Sequence, residues 1–436
     1  MRPTAYAKRS WLALAASLLI CAGVWRWAES ILVPVNTLAA QSKRVPIGNN
    51  SDLYPRWFGS RELLLHHRDP YSAEVTRGIQ RGFYGRELDP RNPADPVDQA
   101  AFVYPVYVVF LLAPTLHIPF GVVETLGRWL MLAAIAASVP AWMYAIGFRT
   151  RVAFVLSGMI LAISSYPAVL EFHMQNLAAL VALLLACAAA AAARNYLFLS
   201  GLLLALATIK PQLSGLFVLW FLLWATARWQ QRKRLAFGFV AFTAALVLGG
   251  EILLPRWIPE FISAVRTYAT YATDPSILQF VFGTRLARFA AIALGCALIG
   301  ISWRWRESPA GSSDFGWTLA WTAAVTLAIV PVSAYNQVLL IPALLILLRQ
   351  WRSISGVFPR AMAKGAFLCQ GWQWATALLM FFCSLLIPPE RLHFLARVPV
   401  LTLIALPPLT LLAIAGSTVA LRGMQATPQA PAAHHE

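Results

Sequence analysis

Long apolar runs separated by short basic clusters dominate this sequence. Residues 177–193 and 235–254 are apolar almost throughout, whereas a helix on the surface of a soluble protein keeps one polar face along its length. Runs of about 17–25 apolar residues match the thickness of a bilayer core. The pattern therefore predicts an all-α polytopic membrane protein.

The apolar runs also predict where the chain crosses the bilayer. An uncleaved first helix is expected over residues 11–33, with its basic N-terminal flank inside the cell. About 12–13 spans are expected altogether. The further spans are predicted near residues 121–146, 152–168, 176–193, 196–209, 212–227, 235–254, 284–302, 316–332, 336–350, 364–387 and 397–416.

Residues 102–118 leave two topologies open, because this apolar segment is short and contains two prolines, with a third directly after it. A full crossing would place Arg149 and Arg194 outside, against the positive-inside rule. A re-entrant segment keeps every basic cluster from Arg149 onward inside, and we favour it. The alternative joins residues 196–227 into one kinked span.

The single long polar segment, residues 34–101, holds eight of the eighteen acidic residues together with nine basic ones. A charge-balanced segment after the first span is expected outside, and residues 255–283 are expected to form a second outer loop. Two amphipathic helices are predicted in the first loop, along the membrane surface, from the helical spacing of apolar residues after Asp52 and after Asp69. Residues 1–424 are interpreted as one transmembrane domain, and residues 425–436 as a disordered tail.

Composition supports this interpretation and excludes several function classes. Apolar residues make up 59% of the 436 residues and charged residues only 12%, about half the usual charged share. This excludes a soluble enzyme and a secreted disulfide scaffold. The net charge of +17 lies in clusters typical of cytoplasmic loops, without a continuous basic face, so no nucleic-acid partner is expected.

Two acidic residues of the first outer loop are candidates for proton transfer. Asp52 follows the first span and precedes an aromatic helix, where a carboxylate can accept a proton from an incoming hydroxyl. Asp is also a preferred helix N-cap, so both roles stay open for Asp52. Asp69, in an Asp-Pro sequence, fits a turn and a cap for the next helix, and catalysis is the alternative.

Lys210 stands alone between two apolar runs and is followed by a proline. A lysine in such a place must reach the membrane boundary, pair with an acid or bind an anion. Because no acidic residue neighbours it in the break, we favour phosphate binding. Amides at two other outer corners, Gln175 with Asn176 and Asn336 with Gln337, could cap helices or bind sugar hydroxyls.

The order of motifs resembles a known family. The first span is followed by Ser-Asp52-Leu-Tyr, Leu63-Leu-Leu-His-His-Arg-Asp69-Pro-Tyr71, Phe102-Val-Tyr104-Pro105, His173-Met-Gln175-Asn176 and Lys210-Pro211. This arrangement is similar to that of glycosyltransferase family 87, the polyprenol-phosphate-mannose-dependent mannosyltransferase-like proteins of the GT-C superfamily. The chain departs from the family at Val106, where a second proline is usual, and at Tyr335-Asn336-Gln337, where many relatives have histidines.

The resemblance implies a GT-C-like helix bundle in the bacterial inner membrane, with its active site facing the exterior. It implies that Asp52 is the base, that a polyprenyl-phosphate sugar, with mannose as the expected hexose, is the donor, and that transfer inverts the anomeric carbon. The acceptor would be a hydroxyl of a glycan or glycolipid, membrane lipids would surround the enzyme, and neither a metal nor another cofactor is expected. With Lys210 and the four amides, His173, Tyr104 and Arg56 complete the expected donor- and acceptor-binding residues.

The alternative class is a transporter or flippase of a lipid-linked or small polar substrate, which would carry out no chemistry. Such a protein would also combine many spans with isolated polar groups inside the membrane. Transporters commonly contain repeated halves with matching broken helices, and we find no internal repeat in this sequence. The sequence therefore favours an enzyme.

Overall fold

The computed structural model describes residues 3–42, 51–89, 91–272 and 274–426, and within these ranges the chain is helical, with one isolated bridge between Ser276 and Pro331. This confirms the predicted all-α fold. The α-helices are α1 (Pro3–Trp27), α2 (Val33–Ser42), α3 (Leu53–His66), α4 (Ala73–Phe83), α5 (Val108–Leu112), α6 (Phe120–Ala145), α7 (Val152–Ile163), α8 (Tyr166–Met174), α9 (Ala178–Ala193), α10 (Leu197–Ala207), α11 (Pro211–Ala227), α12 (Trp229–Leu253), α13 (Trp257–Tyr271), α14 (Ile277–Trp305), α15 (Ser313–Ile329), α16 (Ile341–Arg349), α17 (Val357–Leu386) and α18 (Leu406–Ala426).

Among the described residues, five helices are long and apolar enough to cross a membrane individually: Ser10–Ala40, which joins α1 and α2 through a π-helical turn, and α6, α12, α14 and α17. The pair α7 and α8, bent by 60°, adds a sixth crossing if it acts as one span. The predicted 12–13 full spans are therefore not all present as long helices. Several of them are apolar helices of only 10–17 residues, which are at most about 26 Å long.

Polar breaks explain why these apolar runs form short helices. α8 ends before Gln175 and Asn176, and α10 and α11 are separated by residues 208–210, which include Lys210. Pro211 is the first residue of α11, where its missing N–H costs no helical hydrogen bond. The breaks place polar side chains between helices that are otherwise apolar.

The segment 102–118 contains no helix that could cross the bilayer. Its only regular elements are the five-residue α5 and a 3₁₀ turn at Ala113–Thr115, and Phe102, Val106 and Val109 are fully buried. The segment packs against α3, and its re-entrant path through the membrane stays a prediction.

The two helices of the first outer loop differ from each other. α4 is amphipathic, with Val75 and Ile79 buried and Arg77 and Arg81 exposed. α3 has buried residues on most sides because it packs against α4, α5 and α6. α4 is therefore amphipathic as predicted, whereas the prediction of an amphipathic helix is wrong for α3.

The second outer loop, predicted over residues 255–283, contains α13 and the first turns of α14. Gly283 has a φ of 72°, a conformation that glycine adopts without strain, and it kinks α14. The kink coincides with the predicted start of the next span. Parts of two other predicted segments, residues 43–50 of the first loop and residues 427–436 of the tail, lie outside the described residues.

In the core of the bundle α15 is buried from Phe315 to Ala328, and α6, α9, α10 and α12 pack in succession on one another. α10 and α12 cross at Gly201 and Gly238, where an added Cβ would meet backbone atoms of the other helix at less than 3 Å. Small residues permit such close approach of membrane helices. At the end of this core, Arg232 donates hydrogen bonds to the carbonyls of Trp224, Arg306, Glu307 and Ser308, where a cation also complements the negative helix end.

Candidate active site

Asp52 lies at the junction between the first outer loop and the end of α8. Its backbone N–H donates to the Met174 carbonyl at 2.7 Å, and its Oδ2 accepts a hydrogen bond from the Asn176 amide at 2.7 Å. Asp52 occupies the N-cap position of α3, but its side chain makes no capping hydrogen bond. The partly exposed carboxylate is instead directed to the Asn176 corner.

Asn176 connects the two charged candidates. Gln175 adopts the left-handed conformation (φ 46°, ψ 48°), which ends α8 and turns the chain back before α9. The Asn176 Oδ1 accepts hydrogen bonds from the Lys210 Nζ at 2.6 Å and from the Ala178 N–H at 3.0 Å, while its amide nitrogen donates to Asp52. Both ends of this amide are therefore fixed.

Lys210 is only 4% exposed, and its ammonium lies on two amides and an aromatic ring. The Nζ donates to Asn176 at 2.6 Å and to the Asn336 Oδ1 at 3.0 Å, and it lies 4.9 Å from the centroid of the Tyr335 ring. In the described part of the chain, no carboxylate lies within ion-pair distance of this ammonium. The charge is held by neutral groups and stays available to an anion.

The Asp52 carboxylate and the Lys210 ammonium are linked through one amide. The two hydrogen bonds and the width of the Asn176 amide place the charged atoms no more than roughly 8 Å apart. Because the amide separates them, they do not form a direct ion pair. A carboxylate that can accept a proton and a cation that can bind phosphate thus face one region of the structure.

Arg56 and Tyr104 line the same region. Arg56 lies one turn after Asp52 on α3, donates to the Asp52 carbonyl, and places its guanidinium 4.4 Å from the centroid of the Tyr104 ring. The Tyr104 carbonyl accepts a hydrogen bond of 2.6 Å from the Tyr71 hydroxyl. Arg56 therefore adds a second positive charge beside Asp52.

Glu171 and Tyr335 belong to this site, although they were not selected from the sequence. Glu171 is fully buried, accepts a hydrogen bond from the Ala179 N–H at 3.2 Å, and interacts electrostatically with Lys210 and Asp52. Its Oε2 has no hydrogen-bond partner among the described residues. Tyr335 directly precedes Asn336, and Glu171 lies about one helical turn before Gln175, which is the signal that could have identified them.

Three of the selected binding residues point elsewhere. His173 lies 3.3 Å from the carboxylate of Glu29. Gln175 donates to the Phe172 carbonyl of its own helix, and Gln337 donates to the Leu403 carbonyl at 3.2 Å. The structure thus brings only one amide of each predicted pair to Lys210.

Asp69 lines a separate cleft between α4 and α13, and Asp52 does not line this cleft. The Asp69 Oδ1 accepts a hydrogen bond from the Tyr71 N–H at 2.8 Å, as a turn residue does. The cap of α4 is Ser72, which accepts from the Val75 N–H, so the prediction of Asp69 as the cap is wrong. The pKa of Glu260 is raised, mainly because the carboxyl group is partly buried and also because Asp69 lies nearby.

An apolar groove of about 430 Å³ opens beside Lys210. The Tyr107 hydroxyl at its edge is hydrogen-bonded to Thr208 at 3.0 Å, and Ile209, directly before Lys210, forms part of the wall. The other walls come from α5, α9, α10 and α12, with Phe110, Leu180, Leu184, Leu206, Phe242 and Leu246. The groove therefore reaches the residue directly before Lys210, whereas the Lys210 side chain itself does not line it.

Residues 102–331 match the sequence model of glycosyltransferase family 87, which is more than half of the chain. The chain belongs to glycosyltransferase family 87. A comparison with curated proteins finds no match. The family 87 match includes Asn176 and Lys210, and the fold joins them by hydrogen bonds to Asp52 and Asn336, which lie outside the matched residues.

Membership of family 87 makes this multi-pass membrane protein a glycosyltransferase. Family membership therefore decides between the two alternatives, an enzyme and a transporter or flippase, in favour of the enzyme. Sugar transfer to a hydroxyl is accelerated in general by a base that takes the proton and by charge that stabilises the leaving group.

Proposed function

We propose that this protein transfers a hexose from a polyprenyl-phosphate donor to an acceptor hydroxyl, with Asp52 as the general base and Lys210 as the phosphate-binding cation. The observation that supports this most directly is the hydrogen-bonded chain from Asp52 through Asn176 to Lys210. It joins the two charges that such a transfer needs.

Asp52 suits the role of base by its environment. A hydroxyl becomes a better nucleophile when a carboxylate within hydrogen-bond reach takes its proton as the new bond forms. Asn176 fixes one carboxylate oxygen, and the partial exposure of Asp52 leaves access for an acceptor. Arg56 lies close by, donates to the Asp52 backbone carbonyl and adds positive charge to the site.

Lys210 suits the role of phosphate ligand because its charge is oriented but not neutralised. A preorganised cation stabilises negative charge as it develops on the leaving group, and it does so more strongly in a site that excludes water. The adjacent groove can hold the isoprenoid chain of the donor, which would bring the phosphate to Lys210. No nucleotide pocket is needed for such a donor.

The separation of the two charges leaves room for transfer with inversion. In an inverting reaction the nucleophile and its base lie on the face of the sugar opposite the leaving group. The Asn176 amide lies between Asp52 and Lys210 and holds their charged atoms no more than roughly 8 Å apart. An acceptor hydroxyl beside Asp52 would then attack the face of the sugar opposite the departing phosphate.

We infer that the site faces the exterior of a bacterial inner membrane and that mannose is the transferred hexose, as the resemblance implies. The cytoplasmic side would carry the basic residues from Arg228 to Arg234. In a variant without the native cysteines, a membrane-impermeant thiol reagent should label Arg91→Cys from outside and Gln231→Cys only after permeabilisation. The opposite labelling would reverse the proposed orientation.

Asp52→Asn tests the mechanism. Asparagine keeps the size of the side chain but cannot take the proton, so turnover should fall by about 10²–10⁴-fold while donor binding persists. The measurement is transfer of radiolabelled mannose from polyprenyl phosphate in membranes containing the protein. Asp89→Asn, in an exposed part of the outer loop, is the matched control and should retain activity. Full activity of Asp52→Asn would exclude Asp52 as the base.

A further inference from the structure

A second polar cavity lies in the outer loops, outside the Asp52 site. It is a cleft of about 630 Å³ between α4 and α13, closed on one side by residues 99–102. Asp69, Tyr71, Arg77, Gln80, Gln99, Phe102, Glu260, Thr267 and Tyr271 line it. The volume is in the range of small-ligand sites, which combine apolar and aromatic walls with a few convergent polar groups.

The lining combines aromatic side chains with hydrogen-bonding groups in the way that a sugar ring requires. Tyr71, Phe102 and Tyr271 offer aromatic surface, against which the C–H face of a sugar can pack. The Asp69 and Glu260 carboxyl groups both line the cleft, and the buried Glu260 Oε2 has no partner among the described residues. Carboxylate oxygens accept several hydrogen bonds and so can bind adjacent hydroxyls.

The cleft lies beside the Asp52 site. Phe102, in the cleft, and Tyr104, in the site, are two residues apart, which separates their Cα atoms by at most about 7 Å. The Tyr71 hydroxyl, also in the cleft, donates to the Tyr104 carbonyl at 2.6 Å. On α13, Tyr268 lies against Tyr271 with ring centroids 5.3 Å apart, and it interacts electrostatically with Arg56 and Asp52. α13 therefore extends from one site to the other.

We propose that this cleft binds the sugar units of an oligosaccharide acceptor beyond the unit that carries the reacting hydroxyl. The inference rests on the proposed function, because it extends the acceptor side of the Asp52 site. An acceptor with its terminal hydroxyl at Asp52 would run past Tyr104 and place an inner unit between Tyr71, Tyr271 and Glu260. Binding energy from such remote units can be used to orient the reacting hydroxyl.

The test measures glycan binding without transfer. The purified full chain in lipid nanodiscs is titrated with linear tetrasaccharides of mannose, glucose and N-acetylglucosamine and with the matching monosaccharides, and binding is followed by saturation-transfer NMR. At least one tetrasaccharide should bind saturably and about tenfold more tightly than its monosaccharide, which corresponds to one or two additional net hydrogen bonds.

Two variants and one control locate the binding. Glu260→Ala should weaken tetrasaccharide binding about tenfold, and Thr267→Trp should do the same by filling the cleft from an exposed position of α13. Glu74→Ala, which changes an exposed acid of α4 that does not line the cleft, should bind as the native protein does.

Binding of no tetrasaccharide would overturn the inference, and so would equal binding by the native protein and both cleft variants. Failure of the proposed function has a different signature. In that case transfer from polyprenyl phosphate is absent, while tetrasaccharide binding and its loss in Glu260→Ala remain.

Discussion

Replacement of Lys210 by methionine tests the leaving-group role with a side chain of similar length and no charge. The proposed phosphate would lie beside an ammonium that two amides already orient. A pair of unit charges at 4 Å interacts by about 4 kcal/mol at an effective dielectric constant of 20. Loss of one preorganised donor in an enzyme costs about 2.7–4 kcal/mol, so kcat should fall by about 10²–10³-fold.

The same substitution should affect folding much less. The Asn176 Oδ1 keeps its hydrogen bond from the Ala178 N–H, so only the Asn336 Oδ1 loses the partner shown in the structure. One buried acceptor without a partner costs about 1–3 kcal/mol. The variant no longer buries an ammonium, which offsets part of this cost. Lys210→Met should therefore lower activity strongly and the melting temperature only slightly.

The assay is release of polyprenyl phosphate under single-turnover conditions, with kcat and KM determined separately. Lys210→Arg keeps the positive charge and should retain more activity than Lys210→Met. Lys364→Met, which changes an exposed lysine of α17, is the control. If Lys210→Met folds and keeps kcat/KM within about threefold of the native value, which is less than 1 kcal/mol, the phosphate-binding role is refuted.

Two further predictions concern the outer loops. Asp69→Asn should lower the pKa of Glu260 by removing a neighbouring negative charge. A raised carboxyl pKa costs the folded protein stability as pH rises from about 4.3, so the melting temperature of the variant should increase relative to that of the native protein over this rise in pH. A difference in melting temperature that stays constant with pH would contradict the interaction between Asp69 and Glu260. Gly82→Ala would push a methyl group into the Tyr54 ring and hydroxyl, and it should destabilise the contact between α3 and α4 by about 1–3 kcal/mol. Gly121→Ala, whose methyl group would meet no atom within 4 Å, should leave stability unchanged. Equal melting temperatures of the two variants would show that α3 and α4 can move apart freely.

The sequence determined the class of the protein and the residues worth examining. Runs of apolar residues indicate helices in a bilayer because each backbone polar group must find its partner within the helix there. Against this background Lys210, Asn176 and Asn336 stand out as polar interruptions, since a buried polar group without a function or a partner is costly. Asp52 stood out by its place directly after the first span.

The local sequence pattern could not show which of two adjacent polar residues faces the site. Gln175 and Asn176 follow one another, yet only Asn176 reaches Lys210, because the left-handed conformation of Gln175 turns the two side chains in different directions. Asn336 contacts Lys210 while Gln337 bonds to the Leu403 carbonyl. Which of two neighbours faces a site depends on backbone angles at a helix end, and amide residues accept several conformations there.

Only the tertiary structure shows which residues from distant parts of the sequence come into contact. Asp52 and Asn176 are 124 residues apart, and Lys210 and Asn336 are 126 residues apart, so no periodicity links them. Asp69 and Glu260 meet only because α13 lies over the first outer loop. These contacts follow from the packing of helices on one another, where small residues such as Gly201 and Gly238 set the separations. The apolar pattern places each helix in the membrane but leaves its neighbours and its rotation undetermined, since lipid and protein surroundings are equally apolar.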